Sequence, residues 1–155
     1  MEKVVYEIRP LKEKEWEMAM QLVWDTFLVY EAPETSKEGI RKFRDFIRDP
    51  RLKDMFKAGD YKVSGAFYEN AIIGVLGTRG QHISLLFVEP RFHHQGIATD
   101  LLSREFAVMK SLGCTKMSVN ASSYAVPFYK KKGFVKVSSE IANEGIRITP
   151  MKIDF

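Results

Sequence analysis

At 155 residues, with 45% hydrophobic and 28% charged side chains, the chain has the balance of an ordinary globular protein and enough length to bury a core as one domain, residues 1–155. A net charge of +4 suits an anionic ligand but is too small for a nucleic-acid partner, and the densest basic run is only Lys130-Lys131-Lys132. The lone cysteine, Cys114, excludes an internal disulfide and a Cys-rich zinc site and makes a reduced, cytoplasmic setting the expectation; with no apolar run near ~20 residues and no signal-peptide pattern, no membrane partner is expected either.

In chain order, Lys3 to Arg9 reads as a strand ended by Pro10. Leu11 to Tyr30 reads as a helix, because Trp16, Met20, Val23, Phe27 and Tyr30 recur at steps of three and four. Thr35-Ser36-Lys37-Glu38 has capping-box spacing, with the Thr35 hydroxyl as the expected cap. It opens a second helix that carries Ile40, Phe43 and Ile47 and stops before Pro50. Arg51 to Ala58 is read as a short helical turn before a break at Gly59-Asp60. Three strands follow, Tyr61 to Tyr68, Ala71 to Thr78 and Gln81 to Val88, the first two joined at Glu69-Asn70. A helix from Gln95 to Gly113 buries Ala98, Leu101, Leu102, Phe106 and Met109. Lys116 to Asn120 is a strand and Ser122 to Lys132 a short helix; Phe134 to Ser138 and Ile146 to Ile153 form a closing hairpin over an irregular 140–145 link. This order is an α/β (α+β) arrangement: a mixed, mostly antiparallel sheet of six to seven strands with helices on both faces and one right-handed parallel crossover.

The stretch around that crossover carries the chemistry. An apolar strand ends at Val88, a short polar turn follows, and a helix begins near Gly96. Small residues at Gly96 and Ala98 let a ligand approach the first turn, whose amides have no partner inside the helix and lie at the positive end of its dipole. Such a helix N-terminus suits phosphate.

His93-His94-Gln95-Gly96-Ile97-Ala98 resembles the acetyl-CoA pyrophosphate loop of the GNAT (GCN5-related N-acetyltransferase) superfamily, Gln/Arg-x-x-Gly-x-Gly/Ala, with His93 in the first position. Ala125-Val126-Pro127-Phe128-Tyr129-Lys130-Lys131-Lys132-Gly133-Phe134 resembles the family's closing motif. The two motifs stand at the expected separation, and the likeness spans nearly the whole chain. It implies the GNAT fold, with a splayed pair of parallel strands, and an enzyme that moves an acetyl group from acetyl-CoA directly to a primary amine of a small molecule or peptide. In that resemblance Phe87 and Val88 hold the pantetheine arm through their main chain, a backbone amide near Val88 meets the thioester carbonyl, and His93, His94, Gln95, Gly96, Ile97, Ala98 and Thr99 cradle the diphosphate. Tyr129 is the proton donor to the leaving thiolate. The Asn often found seven residues before that Tyr is Ser122 here, with Asn120 nearby as a substitute. Lys130, Lys131, Lys132 and Arg91 are candidates for the 3′-phosphate.

The base stays open between Glu31, Glu89, His82 and a water-mediated route, with Glu31 set beside the break after the first long helix. Tyr30, Glu31, Phe27 and Tyr68 suggest an aromatic and acidic acceptor pocket suited to a cation. Adjacent His93 and His94 point different ways on a turn, with no acid cluster to complete a ligand set, so no metal is expected. A homodimer is compatible with the chain. The rival reading is a catalytically silent CoA-binding sensor or interaction module of the same fold.

Overall fold

The computed structural model describes residues 4–143 and 145–155. The expected strand at the N-terminus is β1 (Glu7–Pro10), and Lys3 lies outside the described residues. After a 3-10 turn come α1 (Trp16–Tyr30), α2 (Lys37–Arg48) and α3 (Pro50–Ala58). A meander follows: β2 (Lys62–Tyr68), β3 (Ala71–Arg79) and β4 (His82–Val88). Then come α4 (Ile97–Ser111), β5 (Lys116–Ala121), α5 (Val126–Lys131), β6 (Val135–Lys136), β7 (Ile141–Asn143) and β8 (Ile146–Asp154).

Among the described residues the strands run β1-β2-β3-β4-β5-β8-β6, with β7 on β8. All these pairings are antiparallel except β4 with β5. This is the mixed sheet the sequence implies, with eight strands rather than six or seven. The extra one is β7, inside the link expected to be irregular; it pairs Ile141 with Ile148 and Asn143 with Ile146, and Glu144 lies outside the described residues. The cap of α2 also differs. Ser36 is the N-cap and its Oγ accepts from the Gly39 amide at 3.0 Å, while the Thr35 hydroxyl donates back to the Glu31 carbonyl at 2.6 Å. The α2 helix therefore starts one residue later than the Thr35 box requires.

Each face of the sheet has its own core. On one, Trp16, Val23 and Phe27 of α1 pack with Ile47, Leu52, Val75, Leu85 and Phe87. On the other, Ile97, Leu101, Leu102 and Met109 of α4 pack with Leu76, Val119, Tyr129, Phe134 and Met151. The apolar stripes read from the sequence are these two faces; Phe106 and Ala98 are partly buried against the second.

The feature that matters for the site is a bulge in β4. Thr78 pairs with Ile83 but Gly77 pairs with Leu85, so Ser84 is an extra residue. A bulge adds twist and shifts the parity of the strand beyond it. Before it, β4 is held to β5 at His82↔Ser118 and Ile83↔Val119. Beyond it no β4–β5 pairing continues, and the two parallel strands part.

Candidate active site

The parity shift decides which main-chain groups enter the gap. The Glu89 amide donates to the Ile73 carbonyl at 2.8 Å, so residues 73 and 89 are a hydrogen-bonded pair and the next pair, Gly74 with Val88, is not. The N–H and C=O of Val88, and by the same alternation those of Leu86, therefore point away from β3 toward the side β5 has left. The main chain of Phe87 turns to Val75, and Phe87 reaches the gap as a side chain. Leu86 is thus the position the sequence reading missed; nothing but Ser84 interrupting the apolar run marks the bulge.

A cavity of about 420 Å³ opens at this gap. Leu86, Phe87 and Val88 form its floor, and His93, His94, Gly96, Ile97, Ala98 and Thr99 form one end. Gly96 has φ +82 and His94 φ +63, which fold the turn back so that α4 begins facing the cavity. The first helical bond runs from the Asp100 amide to the Gly96 carbonyl, and Gly96 supplies no side-chain cap. The amides of Ile97, Ala98 and Thr99 are left without helical acceptors at the positive end of the dipole. Gln95 does not border the cavity; its Oε1 accepts from the Val4 amide at 3.3 Å. Ser122 and Tyr129 border it and Asn120 does not.

His93 lies at the cavity end with its ring turned inward. Its Nε2 donates to the Val88 carbonyl at 2.6 Å, and the ring stacks on Tyr30 at 4.8 Å, which stacks on Tyr124 at 4.7 Å. This ladder crosses from the β4–α4 turn over the end of α1 to the β5–α5 loop. Ser123 donates to Glu34 across the same mouth. Thr26, on the turn of α1 before Tyr30, presents a buried hydroxyl with no protein partner. Among the cations expected near a 3′-phosphate, Arg91 is paired with Glu89 at 2.9 Å and Lys132 lies over the Phe128 ring at 5.6 Å.

A second cavity, of about 510 Å³, lies along β4 under α1 and α2. The two share Glu31, Leu86, Phe87, Ser122, Ala125 and Tyr129, so they meet where the strands part. Of the three candidate bases, Glu31 borders both cavities, His82 only the second, and Glu89 neither. Tyr68 borders neither and packs against Phe92.

Glu31 is held by the end of α1, where its amide donates to the Phe27 carbonyl at 2.9 Å. Burial pushes its carboxyl up to about 7. Tyr129 is buried between Phe128 and Phe134, each 5.2 Å away. Its phenol is raised above the usual range, first by burial and then by the nearby Glu31 charge. His82 is pulled down by burial, and its Nδ1 lies 2.8 Å from Ser118 Oγ. Among the described residues, no three His, Cys, Asp or Glu side chains are grouped to hold a metal ion, and no helix is long and apolar enough to cross a membrane.

The family model described as the acetyltransferase (GNAT) domain matches residues 31–155. The chain belongs to this family. No curated protein sequence matches it. Among solved structures it is similar to a GCN5-related N-acetyltransferase from Rhodopseudomonas palustris, with TM-score 0.83 and 18% identity over 100% of this chain and 99% of that one. It is similar also to the PaiA N-acetyltransferase from Thermoplasma acidophilum in complex with coenzyme A, at 0.81 and 20% over 98% and 100%. An aminoglycoside 6'-N-acetyltransferase complexed with coenzyme A aligns at 0.68 and 12%, covering 96% of each chain. At such identities the likeness is one of fold, the GNAT fold expected from the two motifs.

Proposed function

We propose that this GNAT protein transfers an acetyl group from acetyl-CoA directly to a primary amine. The observation that carries the reading is the meeting of the two cavities at Glu31 and Tyr129, beside the outward-turned main chain of Val88. The coenzyme A complexes of two structural neighbours support placing the thioester in the cavity that ends at the bare amides of α4. The pantetheine amides then pair with Leu86 and Val88, and the diphosphate takes the Ile97, Ala98 and Thr99 amides. His93 gives up its bond to the Val88 carbonyl or stays beside it as a wall.

The amine enters from the second cavity. Its lone pair attacks the carbonyl carbon, the C–N bond forms and the C–S bond breaks. Glu31 takes the proton the amine loses, and Tyr129 gives one to the thiolate. A carboxyl that titrates near 7 is well matched to a base working at neutral pH. The two proton movements help one another: once Glu31 is protonated, its charge no longer holds the Tyr129 phenol up, and Tyr129 becomes a stronger acid as the thiolate leaves. The Val88 amide, aimed at the developing oxyanion, costs no reorganisation.

The test is titration with acetyl-CoA followed by release of free thiol across a panel of amines. Heat on binding and turnover with at least one amine are expected. No heat overturns the cofactor assignment, and binding without thiol release for any amine overturns transfer in favour of a silent CoA-binding module.

A further inference from the structure

Helix α1 buries an apolar face against the sheet, with one exception. Its buried residues are Trp16, Ala19, Met20, Leu22, Val23, Thr26 and Phe27, and Thr26, 4% exposed, carries the one hydroxyl among them. The Thr26 Oγ1 has no hydrogen-bond partner in the protein, so it does not bond back to the Leu22 carbonyl one turn earlier, the usual recourse of a threonine inside a helix. A hydroxyl buried in this way costs stability. Valine has nearly the same shape and much the same helix propensity without that cost. Packing alone therefore favours valine at this position.

The surroundings of Thr26 account for the hydroxyl. Among the described residues, buried side-chain groups with no protein partner are found on Thr26, Thr78, Glu89 and Arg104, and of these Thr26 is the one that borders the cavity ending at α4. It precedes Tyr30 by four residues, so the two lie one above the other on the same face of α1. The Tyr30 ring stacks on His93, whose Nε2 donates to the Val88 carbonyl. Thr26 and Tyr30 thus form a wall over the floor of Leu86, Phe87 and Val88, where the pantetheine arm lies in the transferase reading. The strand edge alone is short of partners for that arm. It presents the main chain of Leu86 and Val88, with the Val88 amide given to the thioester carbonyl and the Val88 carbonyl engaged by His93. The arm brings two amides and a hydroxyl, more polar groups than that edge has left, and each one buried unpaired weakens binding.

We infer that Thr26 is a cofactor-binding residue whose hydroxyl donates to an amide carbonyl of the pantetheine arm. The inference rests on the transferase reading and adds a contact from α1 to those of β4 and the α4 N-terminus. The ligand-free chain carries the cost of the orphaned hydroxyl, and the complex relieves it.

The experiment compares the wild type with Thr26→Val, which removes the hydroxyl and keeps the shape, and with Thr26→Ser, which keeps the hydroxyl. Calorimetry gives the dissociation constants of acetyl-CoA and of 3′,5′-ADP, which has the nucleotide without the arm. Thr26→Val is expected to weaken acetyl-CoA by about threefold to tenfold, the worth of one neutral hydrogen bond, and to change 3′,5′-ADP by less than about twofold. Thr26→Ser should stay within about twofold of the wild type for both. Without ligand, the Val variant should melt a few degrees above the wild type, because it no longer buries an unpaired hydroxyl. Equal acetyl-CoA affinity in the wild type and the Val variant overturns the inference and leaves the transferase reading standing. So does a loss that serine fails to recover, or one that appears equally with 3′,5′-ADP. A lower melting temperature for the Val variant also overturns it, since the hydroxyl would then already serve the fold. If acetyl-CoA does not bind the wild type, the transferase reading falls and takes this one with it.

Discussion

Glu31 and Tyr129 border the same gap, and the charge of one sets the acidity of the other. Tyr129→Phe keeps the ring in its contacts with Phe128 and Phe134 and removes only the hydroxyl. It is expected to lower kcat by about 10²-fold, within the range of general-acid contributions, while the acetyl-CoA dissociation constant moves less than about twofold; steady-state kinetics with calorimetry separate the two. Glu31→Gln tests the base. In the wild type kcat/KM should rise with pH and level off above about 7, because the base works only when ionised. The Gln variant should lose that limb and about 10²-fold in rate. Stability moves the other way. Between the unfolded carboxylate value near ~4.5 and the folded value of about 7, the folded state holds more protons than the unfolded one, so stability falls as pH rises through that window. Glu31→Gln removes the penalty and should be more stable than wild type at pH ~8, by about 1–3 kcal/mol. Equal melting curves at pH ~8 would show that the buried carboxylate carries no such cost.

At the scale of elements, α2 and the β7–β8 turn meet almost backbone to backbone. A Cβ at Gly39 would stand 2.5 Å from the Gly145 carbonyl oxygen and 2.8 Å from Thr35 Cγ2, and Ser36 Oγ donates to that same carbonyl at 3.0 Å. Gly39→Ala must push the two apart, at a cost of about 1–3 kcal/mol. Because Lys42 and Phe43 of α2 and Ile146 and Ile148 of β8 border the second cavity, the same variant should raise KM for the amine and leave acetyl-CoA binding unchanged. Ser36→Ala should cost about 1 kcal/mol through the lost cap. This contact was not legible in the sequence. Gly39 sits inside a good helical pattern, and β7 is three residues long, too short for alternation to declare a strand. The long helices were legible because their stripes repeat over several turns, and the Glu69-Asn70 turn because Asn70 suits the left-handed region that both residues occupy, at φ 49 and 67. The anion end of the site was legible for a similar reason: glycine at 96 is what a left-handed residue at a helix start requires. The acceptor side was not, because the second cavity is lined by side chains from α1, α2, β3, β4, β5 and β8, and a trough assembled from separate elements leaves no contiguous pattern in the sequence. Ser84 shows the same limit. A serine in an apolar run is an ordinary event, yet as a bulge it decides that Leu86 and Val88, not Phe87, present their main chain to the gap.

For the molecule as a whole, the gap is a weak seam between two well-built halves. The β1–β4 meander and the β5–β8 unit are each joined by long antiparallel ladders, whereas β4 and β5 share the two pairs at His82 and Ile83. A ligand that bonds to Leu86 and Val88 on one side and rests against Ser122 and Tyr129 on the other replaces the missing ladder and ties the halves together. It does so only in the folded state, so its binding energy adds to stability. At a hundredfold excess over its dissociation constant acetyl-CoA should contribute about 2.7 kcal/mol, which for a chain of this size is a rise in Tm of about 5–10 °C. The gain should be local before it is global. In hydrogen exchange the amides of Leu86, Val88, Ile97, Ala98 and Thr99 should slow markedly when acetyl-CoA is added, because they turn from water to the ligand. Those of β2 and β3, already inside a ladder, should change little below the global unfolding limit. Gly96→Val separates this bridging from a general tightening. A branched side chain at φ +82 strains the start of α4 and withdraws the diphosphate end of the site. It should abolish the protection at 97–99 and most of the Tm rise together. A variant that lost the protection at 97–99 and kept the full rise in Tm would show that acetyl-CoA grips the protein elsewhere.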